Sequence, residues 1–194
     1  MLISMNREGG ERTLINQETQ AAFVRGEEWA LEAAICEYSR PLLRYCATIL
    51  CHTEEAKDVV QETFIKAYEK RKRFDPKTSL NAWLYRIAYT TAVDAVRKRK
   101  RKAGLIFIGS IAEDGGRDGI SEPLYSILQS LKVIDRALLY GRVLEEKPYK
   151  ELALHLNSSE TALRKRYERL IQRLALRAEL KESYTMILEK ECMK

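Results

Sequence analysis

The 194 residues are enough for one large domain or two small ones. Apolar residues make up 45% and charged residues 32%, a mix that suits small helical domains exposing much of each helix to water. Lys and Arg outnumber Asp and Glu by 34 to 28, and the resulting charge of +6 is too modest to establish a nucleic-acid partner without a look at its distribution. No apolar run reaches membrane-spanning length and no signal peptide is evident, so the expectation is a soluble, cytoplasmic protein with reduced thiols.

The first two dozen residues are ambiguous, with room for one helix from Leu14 to Val24. From Glu27 to Leu50, Ala30, Ala34, Ile35, Tyr38, Leu42, Leu43, Cys46 and Leu50 recur every three or four residues, which predicts a helix with that stripe inward. His52-Thr53-Glu54-Glu55 supplies a break, an N-cap at Thr53 and acids in the next first turn. The second helix runs to about Lys72 with Ala56, Val59, Val60, Phe64, Ala67 and Tyr68 inward. Phe74-Asp75-Pro76-Lys77-Thr78-Ser79 forms a loop, because proline and the residue before it both resist helix. Ser79 or Thr78 caps a third helix reaching about Lys102, with Leu80, Leu84, Ile87, Thr91 and Ala95 inward. Between Ala103 and Pro123 glycines and polar residues mark a flexible linker, and helical periodicity resumes after Glu122. No segment alternates like a strand. The predicted fold is all-α: two small helical domains, residues 1–102 and 124–194, joined by the flexible linker 103–123.

Little here suggests catalysis. Cys36, Cys46, Cys51 and Cys192 follow no regular spacing, and Cys46, Cys51 and His52 match no closed zinc pattern, so buried thiols are expected rather than a metal site. There is no metal-ligating carboxylate cluster, no Gly-rich phosphate loop and no nucleophile placed with a base, and His52 and His155 are too isolated for a dyad. No enzymatic activity and no cofactor are expected.

Residues 148–170 carry a helix-turn-helix spacing. Such a unit needs a small residue where its helices touch, a residue tolerant of left-handed backbone at the turn, and an apolar anchor beyond. Ala153, Asn157 and Leu163 stand at those places, with Leu152 and Leu156 as core neighbours. Pro148 suits the first turn of the opening helix, and Ser158 or Ser159 caps the second. From Arg164 to Lys181 there are seven basic and two acidic residues, a local charge of +5 (7 − 2). That face reads as a major-groove reader with phosphate-contacting arginines, or as the solvated side of an ordinary hairpin; the Ala-Asn-Leu spacing with its serine cap favours the reader.

In the first domain, Glu54, Asp58, Gln61, Glu62 and Ile65 share one helical stripe, a surface that reads as a protein-docking face or as a solvated one. Arg97 to Lys102 is a run of six bases that suits duplex phosphate or a solvated helix end, and Tyr85 and Tyr89 suit packing or stacking on unpaired bases.

Taken together, DVVQETFIKAYEKRKRFDP, LNAWLYRIAYTTAVDAVRKRKRK and YKELALHLNSSETALRKRYERLIQRL resemble regions 2 and 4 of the extracytoplasmic-function sigma factors, across residues 27–102 and 124–177. The resemblance implies a dissociable initiation factor that binds core RNA polymerase and promoter DNA. It implies that Asp58, Gln61, Glu62 and Phe64 grip the coiled coil of the polymerase β′ subunit, with the β flap as a second polymerase contact. The loop Phe74 to Asn81, with Asp75, Lys77, Thr78, Ser79 and Asn81, would capture a flipped base of the −10 element, and Arg86, Tyr89 and the run from Arg97 would guide the adjacent backbone. Arg164, Lys165, Glu168 and Arg169 match positions facing the −35 element, and Thr161 and Arg166 match backbone-facing ones. An anti-sigma factor is implied as inhibitor, and no membrane contact of the chain's own. The sequence departs from its relatives at Asn157, usually glycine, at Ser158, usually apolar, at Ala162, usually threonine, and at Glu168, often aromatic or basic. A stand-alone helix-turn-helix regulator is the competing reading, which leaves the Asp58–Phe64 and Trp83–Ile87 strings unexplained.

Overall fold

Helices account for nearly every ordered element in the computed structural model, which describes residues 15–76, 78–105 and 122–192; no strand occurs among them. Most of the predicted 103–123 linker, and Lys77, lie outside the described residues. The first half comprises α1 (Gln17–Arg25), α2 (Glu28–Leu50), α3 (Thr53–Glu69) and α4 (Leu80–Leu105), with a 3-10 turn at Arg71–Arg73. The second comprises α5 (Glu122–Ser130), α6 (Val133–Leu139), a π turn at Tyr140–Leu144, α7 (Tyr149–Leu156) and α8 (Glu160–Cys192).

Local chemistry sets these boundaries. The Asn16 side chain caps α1 by accepting from Thr19 N at 2.8 Å, and Gly26 ends it at φ 88°, where any Cβ is strained. A Cβ at Gly26 would also stand 2.7 Å from Arg71 Nε, while the Gly26 carbonyl accepts from the Tyr68 hydroxyl at 3.1 Å. The α2–α3 corner differs from expectation. His52, not Thr53, is the N-cap: its Nδ1 accepts from Glu55 N at 3.1 Å, and Thr53 becomes the first helical residue. A neutral imidazole offers the same acceptor that a threonine hydroxyl would.

Helices α2, α3 and α4 pack on one another around Leu42, Ile49, Leu50 and Leu84, all fully buried. Each such aliphatic side chain contributes about 1.5–3 kcal/mol. Two positions of the predicted α2 stripe stay out of this core: Ile35 is 40% exposed and Leu43 is half-buried. Cys46 and Cys51 are buried thiols as expected, and burial pushes the Cys46 thiol up to about 12, but Cys36 is exposed on the outer side of α2.

The two halves share a continuous buried cluster. Helix α4 packs on α7 and α2 packs on α6. At the seam the Tyr45 ring lies 4.9 Å from Tyr85 and 5.4 Å from Tyr140, and the His155 ring stacks on Tyr85 at 4.8 Å and 18°. The Tyr85 hydroxyl donates to Glu145 at 2.5 Å. Gly141 lets the π turn approach α7, since a Cβ there would meet Leu152 Cδ2 at 2.4 Å, and Leu152 is only 2% exposed. Gly141→Ala is therefore expected to lower stability by about 1–3 kcal/mol through overpacking, read as a fall in the urea midpoint with helical content retained. An unchanged midpoint would show that Leu152 simply rotates away.

Candidate nucleic-acid interface and docking groove

The helix-turn-helix forms as its spacing predicts. Asn157 adopts left-handed backbone at φ 49° and ψ 52°, its N–H and that of Ser158 both reach the Ala153 carbonyl, and the Ser159 hydroxyl accepts from Ala162 N at 3.2 Å. Leu152, Leu156 and Leu163 are all buried. One detail shifts: Pro148 is the N-cap of α7, at φ −66°, and helix begins with Tyr149.

On α8, Thr161, Arg164, Lys165 and Glu168 recur at three- and four-residue spacing and are exposed, as is Arg169. Arg166 sits elsewhere. It is half-buried, and its Nε donates at 2.5 Å to Asp135, a carboxylate only 1% exposed that Arg173 also approaches at 3.4 Å. A residue two positions along a helix from Arg164 points some 200° away from it, so Arg166 ties α8 to α6.

The α4 residues lie close by. Arg86 is exposed and donates to Asn157 Oδ1 at 3.0 Å, joining the middle of α4 to the helix-turn-helix turn. Tyr89 is half-buried, while Tyr85 is buried against His155 and Tyr45. Burial, first, and its bond to Glu145, second, hold the Tyr85 hydroxyl well above its usual range, so it stays protonated as the donor. Arg97 is exposed and approaches Asp94 at 3.4 Å, whereas Arg99 pairs with Glu55 at 3.0 Å.

In the 74–79 loop, Phe74 is buried against Trp83 at 5.3 Å, and Trp83 is edge-on to Phe23; Asn81, of the predicted loop, is in the first turn of α4. Asp75, Thr78 and Ser79 are exposed, with the Asp75 carbonyl accepting from both the N–H and the hydroxyl of Thr78. Asn81 is half-buried, and its Oδ1 is sealed from water with no protein donor among the described residues.

The predicted α3 stripe divides. Gln61 and Ile65 face α2 and, with Ile35, Leu43, Val60 and Phe64, line an apolar groove of about 720 Å³. Ile65 is 51% exposed, while Phe64, at 7%, forms part of the floor rather than a projecting contact. Asp58 and Glu62 instead border a charged cleft between α3 and α4, opposite the basic run that begins at Arg97. Glu62 pairs with Lys66 at 2.6 Å. The sequence missed the groove because Ile35 and Leu43 read as core, and their incomplete burial is a property of what packs beside them.

Residues 35–102 match the family described as Sigma-70 region 2. The chain is 34% identical over 76 residues to the ECF RNA polymerase sigma factor SigW of Bacillus subtilis, a stretch spanning 39% of this chain and less than half, 41%, of that relative. With the ECF RNA polymerase sigma factor SigM of the same organism it is 27% identical over 71% of this chain and 88% of that relative. The solved structure of the sigma factor RpoE, in complex with the anti-sigma factor NepR from Bartonella quintana, shares the fold at a TM-score of 0.59 and 22% identity, covering 74% of this chain and 92% of that one. Over residues 35–102 the chain thus carries a Sigma-70 region 2, and the curated proteins it resembles are extracytoplasmic-function sigma factors.

Proposed function

We propose that the chain is a dissociable initiation factor that binds core RNA polymerase and directs it to promoters through separate −10 and −35 contacts, with no catalytic activity of its own. One observation carries this reading: an open apolar groove on α2 and α3 and a helix-turn-helix with a basic exposed stripe occur on a single chain. The first suits an amphipathic helix of a protein partner, the second a DNA groove.

In this reading residues 1–102 bind the polymerase and the −10 element, 103–123 tether the halves, and 124–194 read the −35 element. The β′ coiled coil docks in the groove, over Gln61 and the Phe64 floor, while Asp58 and Glu62 offer acidic flank contacts on the neighbouring side of α3. The β flap contacts the second half. Asp75, Lys77, Thr78, Ser79 and Asn81 receive the flipped −10 base beside the Trp83–Phe74 pair, and Arg86, Tyr89 and Arg97 guide the strand. Thr161, Arg164, Lys165, Glu168 and Arg169 face the −35 groove. Arg166 acts through its Asp135 tie. An anti-sigma factor competes for these surfaces, and the factor works in the cytoplasm; no helix among the described residues is long and apolar enough to cross a membrane.

The two promoter elements are roughly 25 base pairs apart by their positions, about 85 Å of B-form DNA at 3.4 Å per pair. Arg86 bonded to Asn157 cannot serve both elements at that distance. Promoter engagement therefore requires the halves to part.

Ile65→Glu tests the docking site. Ile65 is half exposed, so the fold tolerates the change, but a carboxylate would enter an apolar contact. Affinity for purified core polymerase should fall at least about tenfold, the equivalent of about 1.4 kcal/mol, measured by fluorescence anisotropy. Unaltered affinity places the polymerase contact elsewhere.

A further inference from the structure

Tyr149 opens α7 directly after its Pro148 cap, and its half-buried ring stands where three elements meet. The guanidinium carbon of Arg142, from the π turn, lies 4.7 Å from the ring centroid, and that of Arg164, from α8, lies 5.2 Å away. The Tyr167 ring packs edge-on at 6.3 Å and 70°. Both arginines are within cation–π reach.

The two arginines differ in what else holds them. Arg142 Nη1 donates to the Lys147 carbonyl at 2.6 Å, so its direction is set twice. Arg164 is exposed, and among the described residues the Tyr149 ring is what its guanidinium rests on. A long arginine on a helix surface samples many rotamers, and a base contact must freeze one of them. A rigid ring under the guanidinium plane removes part of that disorder before DNA arrives, and a planar fork needs its plane set to bond both acceptors of one base.

We propose that Tyr149 is a positioning residue for −35 recognition, holding the Arg164 guanidinium in the orientation that a bidentate base contact requires. The proposal rests on the reading of Arg164 as a −35 reader. The phenolic hydroxyl has no part in it; the ring does the holding.

The test uses holoenzyme assembled from purified core polymerase and the full chain, with a promoter library randomised across the −35 element. Wild type, Arg164→Ala, Tyr149→Leu, Tyr149→Phe and the double variant Tyr149→Leu/Arg164→Ala are compared by the sequences they select. Arg164→Ala should relax preference at one base pair. Tyr149→Leu should relax preference at that same pair by about two- to fivefold, the value of an exposed cation–π contact, and leave the other pairs alone. Tyr149→Phe should select as wild type does, and the double variant should be no less selective than Arg164→Ala alone. A purely structural Tyr149 predicts instead an equal loss on every sequence, and that result overturns the proposal. If Arg164→Ala relaxes one pair and Tyr149→Leu leaves it sharp, the positioning role alone is wrong. If Arg164→Ala changes no preference, the assignment of Arg164 as a reader fails, and the role of Tyr149 with it.

Discussion

Replacing Arg136 with methionine should cost the folded chain about 3 kcal/mol or more. Arg136 is only 8% exposed, and its guanidinium donates to three main-chain carbonyls: Leu128 at 2.6 Å, Ile49 at 2.6 Å and Gln129 at 3.1 Å. All three acceptors lie in the last turns of helices, α5 for Leu128 and Gln129 and α2 for Ile49, where carbonyls run short of intrahelical partners and the dipole favours a cation; the Leu128 carbonyl also accepts from Leu131 N at 3.0 Å. One side chain thus closes two helix ends and fastens the second half of the molecule to the first. Hydrogen bonds to a charged donor are worth about 1.5–3 kcal/mol each, and their loss leaves carbonyls facing a thioether that cannot donate. Burial draws the guanidinium below its usual range, the Cys51 thiol beside it partly offsets this, and it remains charged at any pH a protein meets.

Urea unfolding of wild type and Arg136→Met reads the loss directly. Arg136→Lys should recover only part of it, because a single ammonium cannot span acceptors that a planar fork reaches together. A loss under about 1 kcal/mol for the methionine variant would mean that water replaces the guanidinium at these carbonyls, and that apolar packing alone holds the halves in contact.

What the sequence disclosed and what it hid follow one division. Patterns local to a helix or turn were legible: the stripes Ala30–Leu50 and Leu80–Thr91, and Asn157 as a left-handed turn residue, because each is fixed by neighbours within a few positions. Contacts made across the chain were not. Asp135 meets Arg166 across 31 positions, so a basic residue in a basic helix gave no sign of an internal tie. Arg86 meets Asn157 across 71 positions and Arg136 meets Ile49 across 87, and no periodicity encodes either meeting. Periodicity also reports how apolar a face is, never whether anything covers it. Ile35 and Leu43 therefore read as core although they border the groove, and Asp58 and Gln61 read as one stripe although α2 and α4 flank α3 on different sides. His155 looked isolated for the same reason: its partner in the stack, Tyr85, belongs to the other half of the chain.

That histidine makes stability fall with acid well above the range where carboxylates titrate. His155 is 1% exposed, its Nε2 has no hydrogen-bond partner among the described residues, and Glu151, 3.5 Å away, is already engaged by Lys147 at 2.7 Å. Burial, first, and the charge of Lys147, second, pull its pKa from 6.5 down to about 3, so the folded protein keeps a neutral imidazole against Tyr85. The unfolded chain protonates this imidazole below about 6.5 while the folded one refuses the proton until about 3. The contribution is thus fully present at neutral pH and is lost progressively as pH falls through that window, at about 1.4 kcal/mol per unit, or about 2 kcal/mol between pH 7 and pH 5. His155→Phe preserves a flat ring for Tyr85 to stack on and removes the titrating nitrogen, so its unfolding free energy should change by about 2 kcal/mol less than wild type over that interval. Parallel profiles for the two proteins would show that folding leaves the proton affinity of the imidazole unchanged, with Glu151 as counter-ion offsetting the burial.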